Sequence, residues 1–539
     1  MNNFSDLIKK ISKKEWIFII SISFLLTMVI SIPFFYSLSQ NNEFYTYNGK
    51  HSISPADISV YYSYINQVKD GNIFLINQFT SETDDLKILN VFWLGAGNFA
   101  KVFDLSPLMA FHVLKIILIP VLIIAIYLFL NLFIKNPKVK MVLIALLSFS
   151  SGLGMWFSNL NVELNSYQKA PIDLWVSESN IFTSLYHSPH FSFSWILIIF
   201  TFIFFILSIR TKKITYSIIS GIFALILFQY HPYHFITIYF VTLTYTIYHL
   251  ARNKNFKNII SFLILFFISL PSIVYHFFTL KDPLIYGRSL QNVTLSPPII
   301  YVILGFGIFL PLATWGIYKI FKLKKEDKYI FLIIWLIGSL FLSYLPEFQF
   351  QRRLLQGMQL PMIILAIVPF WSFIKKYLYK TKDSYLSAVI FLLSLLILMP
   401  TTIYNISRDI HLSTIHNPYF YIEKPQQQII NFLQDKTNYQ TVVLSDDTFL
   451  MNLLPANIKT KVFLGHGHET IDFENKQILL LQFLNQKLSE QEAKNFLKKH
   501  NISYVISRYD LKNNFFSLIK TIGDYKIYIT RGITDSPRP

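Results

Sequence analysis

The stretch Trp16-Ile-Phe-Ile-Ile-Ser-Ile-Ser-Phe-Leu-Leu-Thr-Met-Val-Ile-Ser-Ile-Pro-Phe-Phe-Tyr36 decides the class of this protein. It holds no charged residue, and at about 1.5 Å per helical residue it is long enough to cross roughly 30 Å of hydrocarbon. It is too long for the apolar region of a signal peptide and lacks a small-residue cleavage site, so it is expected to stay as an anchor. With it at 16–38, similar runs recur at 107–134, 139–154, 190–209, 214–229, 233–250, 259–279, 298–318, 329–345, 354–374 and 384–404. The expected fold is mainly α, a polytopic membrane helix bundle of about eleven spans.

Composition agrees. Of 539 residues, 53% are hydrophobic, 17% aromatic (52 of them Phe) and only 14% charged, against about 25% charged in soluble domains. Soluble enzymes, disordered chains and collagen are excluded. The absence of cysteine removes disulfides, thiolate zinc sites, iron–sulfur clusters and cysteine nucleophiles from the chemistry.

The net charge of +18 is not a nucleic-acid footprint. The cations crowd into alternate short connections, at Lys9–Lys14, Lys135–Lys140, Arg210–Lys213, Arg252–Lys257, Lys319–Lys328 and Lys375–Lys382. That alternation places the N-terminus inside and leaves 39–106, 155–189, 230–232, 280–297, 346–353 and the chain after 405 outside. The implied location is the cytoplasmic membrane. Away from the ends of the spans, where Lys140, His190, His234 and His249 lie, they hold almost no ionisable group beyond His112, Lys115 and His276, which argues against an ion-coupled transporter.

After 404 the composition turns polar, so the chain divides into a membrane domain, 1–404, carrying external loops 39–106 and 155–189, and an external α/β domain, 405–539. Strands are expected at Thr441–Ser445, Lys461–Leu464, Ser503–Ser507 and Tyr525–Thr530. Pro425 opens one helix between them, and Ser489-Glu-Gln-Glu492 forms a capping box before another.

Polar chemistry collects in the outer segments. Ser54-Pro-Ala-Asp57 opens a helix whose Ile58, Tyr61, Tyr62, Ile65 and Val68 share one face until Gly71. Asp57 sits at its N-terminus, where the backbone dipole favours a carboxylate; the competing reading is a carboxylate that only decorates the first turn. A second helix is expected from about Asp85 to Phe103.

Asp173-Leu-Trp-Val-Ser-Glu178, Tyr186-His-Ser-Pro-His190 and Tyr230-His-Pro-Tyr-His234 bring a carboxylate and imidazoles to span mouths. These suit a divalent cation or a phosphate; interfacial anchoring is the alternative. Arg352-Arg353 breaks the inside bias at another outer mouth. A planar guanidinium suits phosphate, with snorkelling as the alternative. Gly465-His-Gly-His-Glu-Thr470 follows a strand and offers metal-type donors without a defined third ligand. No phosphate-binding glycine loop, dinucleotide fingerprint, HExxH or nucleophile-elbow serine is present.

In layout the chain resembles the GT-C superfamily of multi-pass glycosyltransferases over nearly its whole length. The shared features are Asp57 with Tyr61 and Gly71 in the first outer loop, Pro189-His190-Phe191, His231-Pro232-Tyr233, Arg352-Arg353 with Gly357 and Pro361, and Gly465-His466 with Glu469-Thr470. One departure is that many relatives carry an Asp-Glu pair where Asp57 is followed by Ile58, which weakens the case for a metal there.

The resemblance implies transfer of a sugar from a polyprenyl-phosphate donor to an envelope glycan, lipid or protein acceptor. Asp57 would be the base; Arg352, Arg353, His190, His231 and Tyr61 would bind substrate and phosphate. Glu178 would be a ligand of a divalent cation, Mg or Mn. Membrane lipid is an expected partner and nucleic acid is not. The alternatives are a lipid-linked saccharide flippase and a non-catalytic envelope membrane protein.

Overall fold

A computed structural model describes residues 3–82, 88–158, 170–367, 399–511 and 513–530. The chain forms two compact units. The first comprises Met1–Pro33, His112–Phe277 and Val293–Arg408; the second comprises Phe34–Phe111, Phe278–Asn292 and Asp409–Pro539.

The first unit is helical. Lys13–Ser39, Pro107–Asn131, Pro137–Phe157, Pro189–Thr211 and Lys257–Thr279 are long and apolar enough to cross a membrane. A sixth is added if Ile299–Phe306 and Phe309–Lys322, bent by 85°, count as one span. The expected eleven is therefore not reached among the described residues.

Three causes are visible. Ile214–Tyr230 and Glu326–Leu342 have only 17 residues each, about 26 Å at the helical rise. His234–Asn253 is long enough, but Thr and Tyr interrupt its apolar face. The expected 354–374 is helical from 359 to 367, after which it and most of 384–404 lie outside the described residues. The bend follows from Gly307, whose φ of +57° is closed to most side chains and stops the helix.

Aromatic packing organises this unit. Trp195 and Trp335 are fully buried, and Trp335 meets Phe202 and Phe129 edge-on at ring distances of 4.6 and 5.8 Å. Near the chain start, buried Lys140 pairs with Glu15 at 2.7 Å. Tyr127 also donates to Glu15, and Asn131 accepts from Lys140, so both charges are satisfied.

The second unit is built on strands β1 (Tyr45–Tyr47), β2 (Tyr421–Glu423), β3 (Val442–Ser445), β4 (Lys461–Val462), β5 (Ile502–Ser507), β6 (Phe516–Ile522) and β7 (Tyr525–Thr530). β1 and β2 pair antiparallel, with Thr46 opposite Ile422. The remaining five form one sheet in the order β4-β3-β5-β7-β6, parallel among the first three and antiparallel thereafter.

Four strands fall where the sequence predicts them, β4 ending two residues early. β6 was not expected: it is a largely exposed edge strand whose register slips between Leu518 and Lys520, so its side chains do not alternate cleanly. The expected capping box is present, Ser489 N–H donating to Glu492 at 2.8 Å.

Helix Pro55–Lys69 packs closely on Val91–Val102, where a Cβ on Gly97 would strike Val68. That second helix starts at Val91, capped by Asn90, rather than near Asp85, a position outside the described residues.

Candidate functional site

In the first unit, the loop 170–179 is fixed from within. Asp173 is fully buried; its Oδ2 accepts the Gly154 N–H at 3.1 Å. Burial outweighs its hydrogen bonds from Thr401, Gly154 and Gly152 and pushes its carboxyl up to about 7. Five residues on, Glu178 is buried and accepts the Ser177 hydroxyl at 2.9 Å. Asn180 then caps helix Ile181–His187, accepting the Thr183 N–H at 2.9 Å.

The histidines follow from the next two chain reversals. His190 lies in the first turn of Pro189–Thr211, its Nδ1 2.6 Å from the Ser188 hydroxyl. One turn further on, Ser194 bonds His231 Nδ1 at 2.7 Å, and the His190 and His231 rings lie 5.0 Å apart. His234 Nε2 meets Gln356 Oε1 at 2.9 Å. Burial, and then the neighbouring His190, His234 and Arg353, hold the His231 imidazole well below its ordinary value and therefore neutral.

Arg352 and Arg353 lie in the single turn Gln351–Leu355. Each guanidinium lies over an aromatic ring, Arg352 over Trp175 at 4.8 Å and Arg353 over Tyr233 at 5.2 Å. Glu178, Arg352 and Arg353 all act electrostatically on Tyr233. The expected residues Glu178, His190, His231, Arg352 and Arg353 thus form one polar cluster, and Trp175, Tyr233, His234 and Gln356 complete it. Guanidiniums so placed keep their charge and fork geometry while losing little hydration, the properties that suit a phosphate.

Asp57 and Tyr61 belong to the second unit. Ser54 takes a left-handed conformation (φ 45°) as the helix N-cap and makes no side-chain cap bond, so Asp57 is not part of a capping box. Asp57 Oδ1 instead lies 2.7 Å from His466 Nε2, in the loop after β4. The Tyr61 ring stacks on Trp93 at 4.7 Å and on Phe111 at 6.2 Å.

His466 Nδ1 accepts the His468 N–H at 3.2 Å, which leaves the ring proton on Nε2, aimed at Asp57. Burial opposes a charge on this ring; Asp57 and then Glu469 outweigh it and draw its pKa above the ordinary value, while Lys50 acts the other way. Lys50 is itself buried, its ammonium donating to Asn452 at 3.3 Å, and desolvation lowers it to about 7. Glu469 is paired with Arg288 at 2.8 Å.

His466 is committed to Asp57 and Glu469 to Arg288, and among the described residues no three of His, Asp and Glu are grouped to hold an ion. Gly465–Thr470, a set of metal-type donors by sequence, supplies the partner of Asp57 through His466, a contact no local pattern encodes. Lys50 gave no signal at all, being a lone lysine in a polar loop.

No family model matches this chain, and no curated protein does. Among solved structures it is similar to the oligosaccharyltransferase of Archaeoglobus fulgidus in its apo form, at TM-score 0.58 and 13% identity, covering 92% of this chain and 70% of that one. The same archaeal enzyme, AglB, in complex with an inhibitory peptide and a dolichol-phosphate matches at TM-score 0.53 and 13% identity, covering 92% and 69%. The arabinofuranosyltransferase AftD from Mycobacteria matches at TM-score 0.50 and 10% identity, covering 95% of this chain and 40% of that one. The chain therefore has the fold of the GT-C glycosyltransferases.

Proposed function

We propose that this protein is a membrane glycosyltransferase that moves a sugar from a polyprenyl-phosphate carrier to a hydroxyl or amide acceptor outside the cytoplasmic membrane, with the chain's N-terminus inside. The observation that carries this reading is the adjacent guanidinium pair, Arg352 on Trp175 and Arg353 on Tyr233, beside the imidazoles of His190 and His231. Two fixed cations beside a pair of imidazoles suit a lipid-linked phosphate at a span mouth. The GT-C fold, seen in an oligosaccharyltransferase bound to dolichol-phosphate, supports it.

In the reaction, the acceptor's nucleophilic atom forms a bond to the anomeric carbon as the carbon–oxygen bond to the phosphate breaks. The electron pair leaves with the polyprenyl phosphate, where Arg352 and Arg353 stabilise the growing charge. The acceptor proton passes to Asp57.

The test is turnover by the purified full chain in proteoliposomes with a panel of farnesyl-phosphate hexosides, measured as released farnesyl phosphate. Release that falls at least tenfold in Arg352→Ala, Arg353→Ala and Asp57→Asn supports the reading. Movement of the lipid-linked sugar between leaflets without release would instead make the protein a flippase.

A further inference from the structure

We propose that His466 is a positioning residue for Asp57: its Nε2–H holds one carboxylate oxygen at 2.7 Å, fixing the orientation in which the carboxylate receives a proton. This inference rests on Asp57 being the base of the proposed reaction.

The surrounding contacts are those of a built device. The imidazole is buried and cannot swing away, with the Phe79 ring edge-on at 6.3 Å. The His468 N–H on Nδ1 selects the tautomer that donates to Asp57. The loop carrying both is tied down twice, Gly465 N–H donating to the Thr470 hydroxyl at 3.0 Å and that hydroxyl to the Phe79 carbonyl at 2.6 Å. The charged and titratable groups facing His466 are Asp57, Glu469, Lys50 and the neighbouring His468.

The pair also gives the site its own pH response. Neutral His466 orients the carboxylate and leaves it basic; a second ring proton on Nδ1 breaks the bond to His468 and adds a full cation beside the carboxylate, which weakens it as a base. Activity then falls as pH drops through the His466 titration. Buried Lys50 opposes that protonation.

The experiment compares wild type, His466→Gln, His466→Ala and Asp57→Asn in the farnesyl-phosphate hexoside assay across pH. Gln places an N–H near the position of Nε2 but does not titrate. His466→Gln is expected to stay within about threefold of wild type at its optimum and to lose the acid limb governed by the imidazole. His466→Ala is expected to lose kcat by about 100-fold with KM unchanged, the usual cost of a misplaced catalytic group.

An inactive Asp57→Asn with a fully active His466→Ala overturns the positioning role and leaves the base assignment standing. An active Asp57→Asn overturns the base assignment and this inference with it. A second measurement needs no turnover: NMR titration of histidines in the full chain. Asp57→Asn must lower the His466 midpoint, and an unchanged midpoint overturns the pairing.

Discussion

His466 Nε2 lies 2.7 Å from Asp57 Oδ1 although 409 residues separate them in the chain. Burial alone would keep this imidazole neutral; the carboxylate draws its pKa above 6.5. A raised imidazole contributes stability that is fully present below the unfolded value of 6.5 and is lost as pH rises through the folded one. Asp57→Asn should therefore destabilise the fold by about 1–3 kcal/mol below pH 6.5, and by much less in alkali. Thermal unfolding of the two proteins across pH checks this; a constant difference at all pH values would contradict it.

Lys50 has the opposite sign. Its folded value of about 7 lies below the ordinary 10.5, so the native state carries the cost of burying the charge at pH 7 and below. That cost fades as pH rises from about 7 to 10.5. Lys50→Met should raise stability by about 1–3 kcal/mol in acid and at neutrality, with the gain shrinking towards pH 10.5 in denaturation experiments.

Asp173 should behave as a protonated acid over much of the acid range. Its carboxyl is raised from 3.8 to about 7 by burial, so the native state binds more protons than the unfolded one between these values. Stability from this site falls as pH rises through that window. Asp173→Asn should remove the slope at little cost, whereas Asp173→Leu, which leaves the Gly154 N–H without its acceptor, should cost about 1–3 kcal/mol. The pH dependence of the unfolding midpoint distinguishes the two.

The arginine pair should not tolerate lysine. Arg352→Lys or Arg353→Lys keeps the charge but loses the guanidinium's contact with the Trp175 or Tyr233 ring. A loss of about tenfold in kcat/KM for a polyprenyl-phosphate donor is expected, the worth of a partly desolvated cation–π contact. Isothermal binding of farnesyl phosphate should weaken in parallel.

Gly307→Ala should strain the bend between Ile299–Phe306 and Phe309–Lys322. The backbone there has φ of +57°, and an added Cβ would come within 3.3 Å of Leu153. A cost of about 1–3 kcal/mol is expected, measured as a lower unfolding temperature in detergent.

The helical membrane character, the four expected strands of the C-terminal part and the capping box at Ser489 were legible because each depends on residues close in sequence. Apolar length, two-residue alternation and Ser-x-x-Glu spacing are local quantities. The span count was not legible in the same way. A hydropathy window does not register the 85° break at Gly307, since that depends on where a helix stops rather than on how apolar it is, whereas the shortness of Ile214–Tyr230 was already visible in the run 214–229.

The sequence by itself determined the residue types of the site: a carboxylate at a helix start, histidines at two chain reversals and an arginine pair outside the positive-inside pattern. Only the tertiary structure decided their partners. Trp175 and Tyr233 reach the arginines from other loops, and His466 reaches Asp57 from the far end of the chain. The physical reason is that burial and hydrogen bonding depend on three-dimensional neighbours: the shift of His466, the lowered Lys50 and the raised Asp173 arise from desolvation and contacts that no local pattern encodes.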